Sequence, residues 1–400
     1  MSAHVLIAGG GIGGLAAALA CMRAGCEALV LERAAQFESI GAGVQLGPNV
    51  TRILQRWGMR AALEQHAVFV PQLQVKNATH GTVLATLPLG QYAQTRYGAP
   101  YVTVHRADLH AMLAAAAHAA GAAVQPACMV TGFAQQSPGV HVQIENGESH
   151  AADALIGADG LHSRVRTQLL ADGAPRPTGH LAFRALVAQD ALPQLLRSNQ
   201  ITVWLGPRLH VVQYPVQGGA ALNIVAFIHG QAQAVSDWDN ATTAQQLLEA
   251  MAGTTAPLQD LLRAVTADAA NAASAAGWRL WVMVDRPPLT SAAQMARGNV
   301  ALLGDAAHPM QPYLAQGAGM AIEDADALEI AFKKFSGDLP AALAHYAGLR
   351  WQRNARVQTR ARRNGQIFHA LGPMRLGRDL SLRMFGARLL DMPWLYEFQN

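Results

Sequence analysis

The chain has 400 residues, 51% of them hydrophobic and 14% charged, with a formal net charge of +4. That balance excludes a disordered protein, and the length exceeds one typical core and points to two interleaved domains. The charge is too small and dispersed for a nucleic-acid surface, and no apolar run is long and unbroken enough to span a bilayer.

"HVLIA" (4–8) reads as a first strand and not as a signal peptide, because glycines interrupt it at once. The following "GGGIGG" sets Gly9, Gly11 and Gly14 in the order G-x-G-x-x-G, with Gly13 inside it. Gly9 permits a tight turn, Gly11 lets backbone approach a pyrophosphate, and Gly14 allows close helix–strand packing. "LAAALACMRAG" is a helix stopped by Gly25, and its N-terminus attracts phosphate. "EALVLERA" is a second strand ending at Glu32 and Arg33, where Glu32 can accept hydrogen bonds from ribose hydroxyls. These parts predict a dinucleotide site but do not separate a nicotinamide cofactor from a flavin. Cys21, Cys26 and Cys128 show neither disulfide nor metal spacing. They predict a reduced, cytoplasmic protein, and no metal site is expected.

Further along, "DALIGADGLHSRVR" (153–166) reads as strand, an Asp159–Gly160 turn, and a helix from Ser163 to Leu170. "GHLAFRALV", "QITVWLG", "LHVVQYPV", "ALNIVAFI" and "RLWVMV" are rich in β-branched and aromatic residues and predict a sheet. His210 and Tyr214 stand four apart on one of these strands and so share a face. They are either pocket residues or an ordinary strand histidine with a packing tyrosine. "NVALL" then feeds the loop "GDAAHPMQPYLAQGAG" (304–319), and "MAIEDADALEIAF" follows as a helix. Beyond Ala347 the tail is helical and basic. It predicts packing on the cofactor domain or on a second copy, with a membrane-surface helix as the alternative.

The three motifs, in this order over residues 4–350, resemble those of single-component FAD-dependent aromatic hydroxylases. That family includes salicylate, 3-hydroxybenzoate and 6-hydroxynicotinate hydroxylases. The resemblance implies an α/β fold: a Rossmann-like FAD-binding domain of the para-hydroxybenzoate hydroxylase type, an interleaved β-sheet substrate domain, and C-terminal helices. The cofactor domain is expected over 1–72, 99–178 and 285–345, the substrate domain over 73–98 and 179–284, and the C-terminal helices over 346–400.

The implied chemistry is hydroxylation of a small phenolic or hydroxy-heteroaromatic acid by O2 through a flavin hydroperoxide. FAD would be held noncovalently, NADH or NADPH would visit transiently, and the protein would act as a monomer or homodimer without a membrane. Gly41 to Asn49, with Gly43, Val44 and Gln45, would run beside the flavin, and Arg106 would lie near its phosphates and ribitol. Asp159 would sit near the cofactor, and Asp305 would bond the ribitol or pyrophosphate side. The helix opening at Gly317, Ala318 and Gly319 would point at the pyrimidine edge of the ring. Pro312 would border the ring and, with Gln311, the substrate. His210 would act as base for the ring hydroxyl with Tyr214 beside it, and His308 would orient the loop. Two positions depart from the family: Met320 stands where many relatives carry Asn, and Pro312 where some 3-hydroxybenzoate hydroxylases carry Gln. Competing readings are a hydroxylase of a bulkier quinone precursor, a non-catalytic flavin sensor, and a nicotinamide dehydrogenase using the first loop alone.

Overall fold

The computed structural model describes residues 2–37, 42–230, 240–241, 244–271 and 277–400. Gly41, the first residue of the segment expected beside the flavin, lies outside them. The elements that position the site are, in chain order, β1 (His4–Ala8), α1 (Ile12–Arg23), β2 (Glu27–Leu31), β3 (Gly43–Leu46), β4 (Val102–His105), α2 (Arg106–Ala119), β5 (Ala154–Gly157), β6 (Arg176–Ala188), β7 (Leu209–Val216), β8 (Ala221–His229), β9 (Val300–Leu302), α3 (Gly317–Lys334) and α4 (Leu339–Phe368).

Strands β1, β2, β5 and β9 are short apolar runs, as expected for parallel strands covered on both faces. They build a six-stranded sheet ordered Ala296–Arg297, β9, β5, β1, β2, Ala123–Gln125, parallel except at the Ala296–Arg297 edge. Helix α1 is almost wholly buried, and the core it joins also holds α3 and the first turns of α4.

A second sheet of eight strands contains β6, β8 and β7 side by side, flanked by Arg279–Asp285 and Asn240–Ala241 on one side and by Ile201–Gly206, Gln72–Asn77 and Val83–Pro88 on the other. Its ladders are antiparallel except where Ile201–Gly206 pairs with Gln72–Asn77. Alternation on β7 sorts its side chains. Leu209 and Val211 pack into a core shared with Leu247, Leu258 and Leu262, while Val212, Tyr214 and Val216 face a core shared with α3, α4 and the tail. One face of this sheet therefore looks at the cofactor half. The small sheet of β3, β4 and Val68–Phe69 joins the first core through Leu46, Val102 and Val104, and the Thr103 hydroxyl donates to the Pro215 carbonyl of β7 at 2.5 Å.

Candidate active site

At the first loop the backbone geometry requires glycine. Gly9 has φ +99°, and a Cβ on Gly14 would lie 1.8 Å from the Gly9 carbonyl oxygen. Gly13 faces inward, where a Cβ would meet Leu303 at 2.9 Å and Ala321 at 3.3 Å, while Gly11 faces open space. No side chain caps α1, so its first-turn N–H groups remain available to an anion. The Glu32 carboxylate accepts the Gly10 N–H at 2.6 Å and the Ala34 N–H at 2.8 Å. Each oxygen keeps a lone pair for a hydroxyl. Arg33 beside it is exposed.

The three motifs are physically joined. A Cβ on Gly9 would lie 2.6 Å from the Ala158 carbonyl and 3.0 Å from Asp159 Cα, so the middle motif lies against the first. The Asp159 carboxylate accepts the Ser163 hydroxyl at 2.5 Å and the N–H groups of Arg164 and Val165 at 2.8 and 3.2 Å. Its side chain thus takes the first two N–H groups of the helix Arg164–Leu170, whose N-cap is Ser163. Buried Arg166 on that helix donates to the carbonyls of Ala306 and Ala307 at 3.0 and 2.8 Å. The middle motif thereby grips the third.

In the third motif Asp305 is exposed within the groove although its neighbours are buried. Surrounding protein raises its carboxyl above the ordinary value, against a smaller downward pull from His308 and Arg106. Behind the loop, Asp324 accepts from His308 Nε2 at 2.5 Å, Arg350 Nε at 2.8 Å, Asn354 at 2.9 Å and the Gly304 N–H at 3.2 Å. Burial pushes the Asp324 carboxyl up, but His308 and Arg350 outweigh it and hold it at about 2. Glu323 binds Arg353 at 2.6 Å, Arg350 at 2.9 Å and Asn49 at 2.7 Å. Helix α3 begins at Gly317 without a side-chain cap, and Gly317 and Ala318 stay partly exposed. Gly319 packs on Val50 and Gln316. Met320 is fully buried, with its sulfur 3.8 Å from an Arg350 nitrogen.

These residues fit an FAD. Two uncapped helix N-termini can take anionic groups, the acid at the end of β2 can accept hydroxyls, and Asp305, on the third loop, lies near Arg106.

On the eight-stranded sheet, Tyr214 packs against Gly43 of β3. A Cβ on Gly43 would lie 2.5 Å from its ring, and the Gly43 N–H donates to Asn223 Oδ1 at 2.8 Å. Val44 pairs with Val104, and Gln45 accepts from the Tyr101 hydroxyl at 2.9 Å. Burial raises the Tyr214 phenol. His210 shares the face with Tyr214 but stands about 13 Å further along the strand, at 3.3 Å per residue. It stacks on Phe227 at 4.4 Å, and its Nδ1 lies 2.7 Å from His369 Nε2. Burial, then His369 and His180, hold its pKa well below the ordinary value. Beyond it, His369 Nδ1 lies 3.1 Å from Nε2 of the exposed His229.

Ala182, Val225, Phe227, Trp281 and Tyr313 form an apolar cluster on the same face. Arg184, opposite Val225, lays its guanidinium 3.7 Å from the Trp281 ring centre. Pro312 opens the short turn Pro312–Leu314 and is partly exposed. The Gln311 amide donates to Asp285 at 3.0 Å. A surface cleft of about 810 Å³ at Ala188, Gln189 and Gly219 holds none of these residues.

Sequence reasoning missed Arg184, His369 and the buried Glu323–Asp324–Arg350–Arg353 cluster. Arg184 had a signal, a lone charge within the apolar "LAFRALV". His369 had none, because it reaches His210 across 159 residues.

Residues 2–337 match the FAD binding domain family. The chain is 36% identical to a 3-hydroxybenzoate 6-hydroxylase of Polaromonas naphthalenivorans (strain CJ2), over 98% of this chain and 95% of the relative. It is 33% identical to a 6-hydroxynicotinate 3-monooxygenase of Bordetella bronchiseptica, over 89% of each. Among solved structures, Klebsiella pneumoniae HpxO complexed with FAD and uric acid superposes with a TM-score of 0.85 at 26% identity, covering 97% of this chain and 94% of that one. With one groove built from all three motifs, and with matches spanning nearly the whole chain, this protein belongs to the FAD-dependent aromatic hydroxylases.

Proposed function

We propose that the protein hydroxylates a small phenolic or hydroxy-heteroaromatic acid, with NADH or NADPH as the electron donor. Bound FAD supplies the activated oxygen, and the chain positions the ring and manages its proton. The observation that carries this reading is the imidazole series from His210 through His369 to His229, which links a buried pocket residue to solvent. An ionised ring hydroxyl makes the ring a far better nucleophile. A histidine held below its ordinary pKa cannot store that proton, but it can pass it on. His210 takes it on Nε2 and releases its Nδ1 proton to His369 Nε2, and His369 hands its Nδ1 proton to His229 and water.

Arg184 supplies a positive charge beside the apolar wall and suits the carboxylate of an aromatic acid. Tyr214, against Gly43, borders the place where substrate and cofactor meet.

The assay is a panel of hydroxylated benzoates and pyridines, each scored for stimulated NAD(P)H consumption and for oxygenated product. At least one small aromatic acid should stimulate consumption and be hydroxylated. If the yellow holoprotein turns over none of them, the substrate reading is wrong. We infer a homodimer from the helix Gly372–Phe385, which leaves Met374, Leu376, Leu380, Met384 and Phe385 exposed. Light scattering on a size-exclusion column would show a single-chain mass if that is incorrect.

A further inference from the structure

We propose that His180, His229 and His369 form a binding site for a late first-row divalent cation, with Zn²⁺ as the representative ion. The three rings come from separate parts of the chain: β6, the last residue of β8, and the residue after α4. His180 and His229 are directly opposed across the β6–β8 ladder. Their Nε2 atoms lie 3.1 Å apart, and His229 Nε2 lies 3.1 Å from His369 Nδ1. One nitrogen from each ring falls within 4.8 Å of the other two.

A tetrahedral Zn²⁺ bound at about 2.0–2.1 Å by imidazoles sets neighbouring nitrogens about 3.3 Å apart. Two of the contacts are already close to that spacing. One ring proton at most fits among three converging nitrogens, whereas a cation accepts a lone pair from each. The outward nitrogens are engaged as ligating histidines require. His180 Nδ1 lies 2.6 Å from the Tyr313 hydroxyl, and His369 Nε2 lies 2.7 Å from His210 Nδ1. With His180 Nδ1 donating to the Tyr313 hydroxyl and His369 Nε2 donating to His210 Nδ1, the inward nitrogens of both rings are free of a proton; this is the reverse of the His369 tautomer that passes a proton outward, so a bound cation blocks that transfer.

The donor set is all imidazole, with no carboxylate or thiolate in the group. That favours zinc, nickel or copper over magnesium or calcium. His229 is exposed, which gives an entry path and leaves a fourth position to water. Arg208 and Arg378 lie near the cluster and oppose a cation, so low-micromolar affinity is expected rather than the tight binding of a structural site. The proposal needs only the three rings and holds whichever aromatic acid the enzyme takes.

The test is calorimetric titration of tag-free, chelator-treated holoenzyme with Zn²⁺. One equivalent should bind. His229→Ala and His180→Ala should each weaken binding by at least about 100-fold, the upper end of what even second-shell changes cost. The bound-flavin absorption spectrum reports whether each variant is folded. Should His180→Ala fail to fold, the exposed His229→Ala decides alone. Cu²⁺ in place of Zn²⁺ should give an electron paramagnetic resonance spectrum with splitting from several nitrogens. No one-equivalent event, or an event unchanged in His229→Ala, would overturn the site.

Discussion

The ring of Tyr214 fills the space where a side chain on Gly43 would stand, with a Cβ at that position 2.5 Å from the ring and 2.9 Å from the hydroxyl. The contact ties the eight-stranded sheet to β3. Gly43→Ala should therefore act by overpacking, at a cost of about 1–3 kcal/mol. Displaced Tyr214 should raise KM for the aromatic substrate and lower the product formed per NAD(P)H consumed. Thermal melting and steady-state kinetics check both, and parental values in each would mean that Tyr214 yields without consequence.

His210→Ala should keep FAD, because the side chain packs on Phe227 and His369 and not on Glu32, Asp159 or Asp305. Hydroxylation should slow by about 10²–10⁴-fold, the usual worth of a positioned acid–base group. NAD(P)H consumption should continue with peroxide as the product. Raising pH toward the substrate's own pKa should recover product, because the ring then arrives ionised. The ratio of product to NAD(P)H across pH is the measurement, and parental coupling throughout would leave His210 an ordinary strand residue.

Arg184→Met keeps the length of the side chain and removes its charge. KM for an aromatic acid should rise at least tenfold, with kcat changed less, and the corresponding neutral phenol should be affected little. Equal effects on acid and neutral phenol would assign Arg184 to packing on Trp281.

Glu32→Ala should weaken FAD retention. Loss of one or two charge-assisted hydrogen bonds costs about 1.5–3 kcal/mol each, and the Gly10 amide also loses its acceptor. Glu32→Gln keeps acceptor capacity and should fall between the two. Flavin fluorescence on dilution gives the dissociation constants, and an unchanged value for the alanine variant would remove Glu32 from the ribose.

Asp324 carries a pH signature. Its folded pKa of about 2 lies below the value of about 3.9 expected in the unfolded chain. Its contribution is therefore complete above pH 4 and is lost as pH falls through about 2. Asp324→Asn leaves Arg350 and His308 without that charge and should cost about 3–5 kcal/mol at neutral pH. The melting-temperature gap between variant and parent should narrow between pH 4 and pH 2. A gap that stays constant over that range would separate Asp324 from acid stability.

The strands, loops and helix starts that carry the candidate cofactor residues were legible because each is local. Gly9, Gly11 and Gly14 with Glu32 lie within one strand–helix–strand unit, and Asp305 to Gly319 form one continuous loop and helix start. The even spacing of His210 and Tyr214 correctly gave them one face, since period two is a property of any strand. It could not reveal that they stand at separate ends of that face, against Gly43 and against His369. Gln311 lies inside the loop, yet its amide is held by Asp285. The Asp159 side chain belongs to a helix cap that the D-G spelling does not announce. His369, Arg350 and Arg353 were invisible because they act at long range from a tail whose composition reads only as basic and helical.

The last of these features bears on how the protein is made. Glu323 and Asp324 are completed by Arg350 and Arg353, which lie about one helix later in the chain. A nascent chain that has emerged only as far as α3 already contains every glycine and acid of the cofactor groove. It also has two interior carboxylates with no guanidinium to meet them, so the loop from Gly304 to Gly319 is held by Arg166 but lacks the support that Arg350 gives through Asp324. The loop that first announces the nucleotide is thus completed only by side chains synthesised after it, on α4.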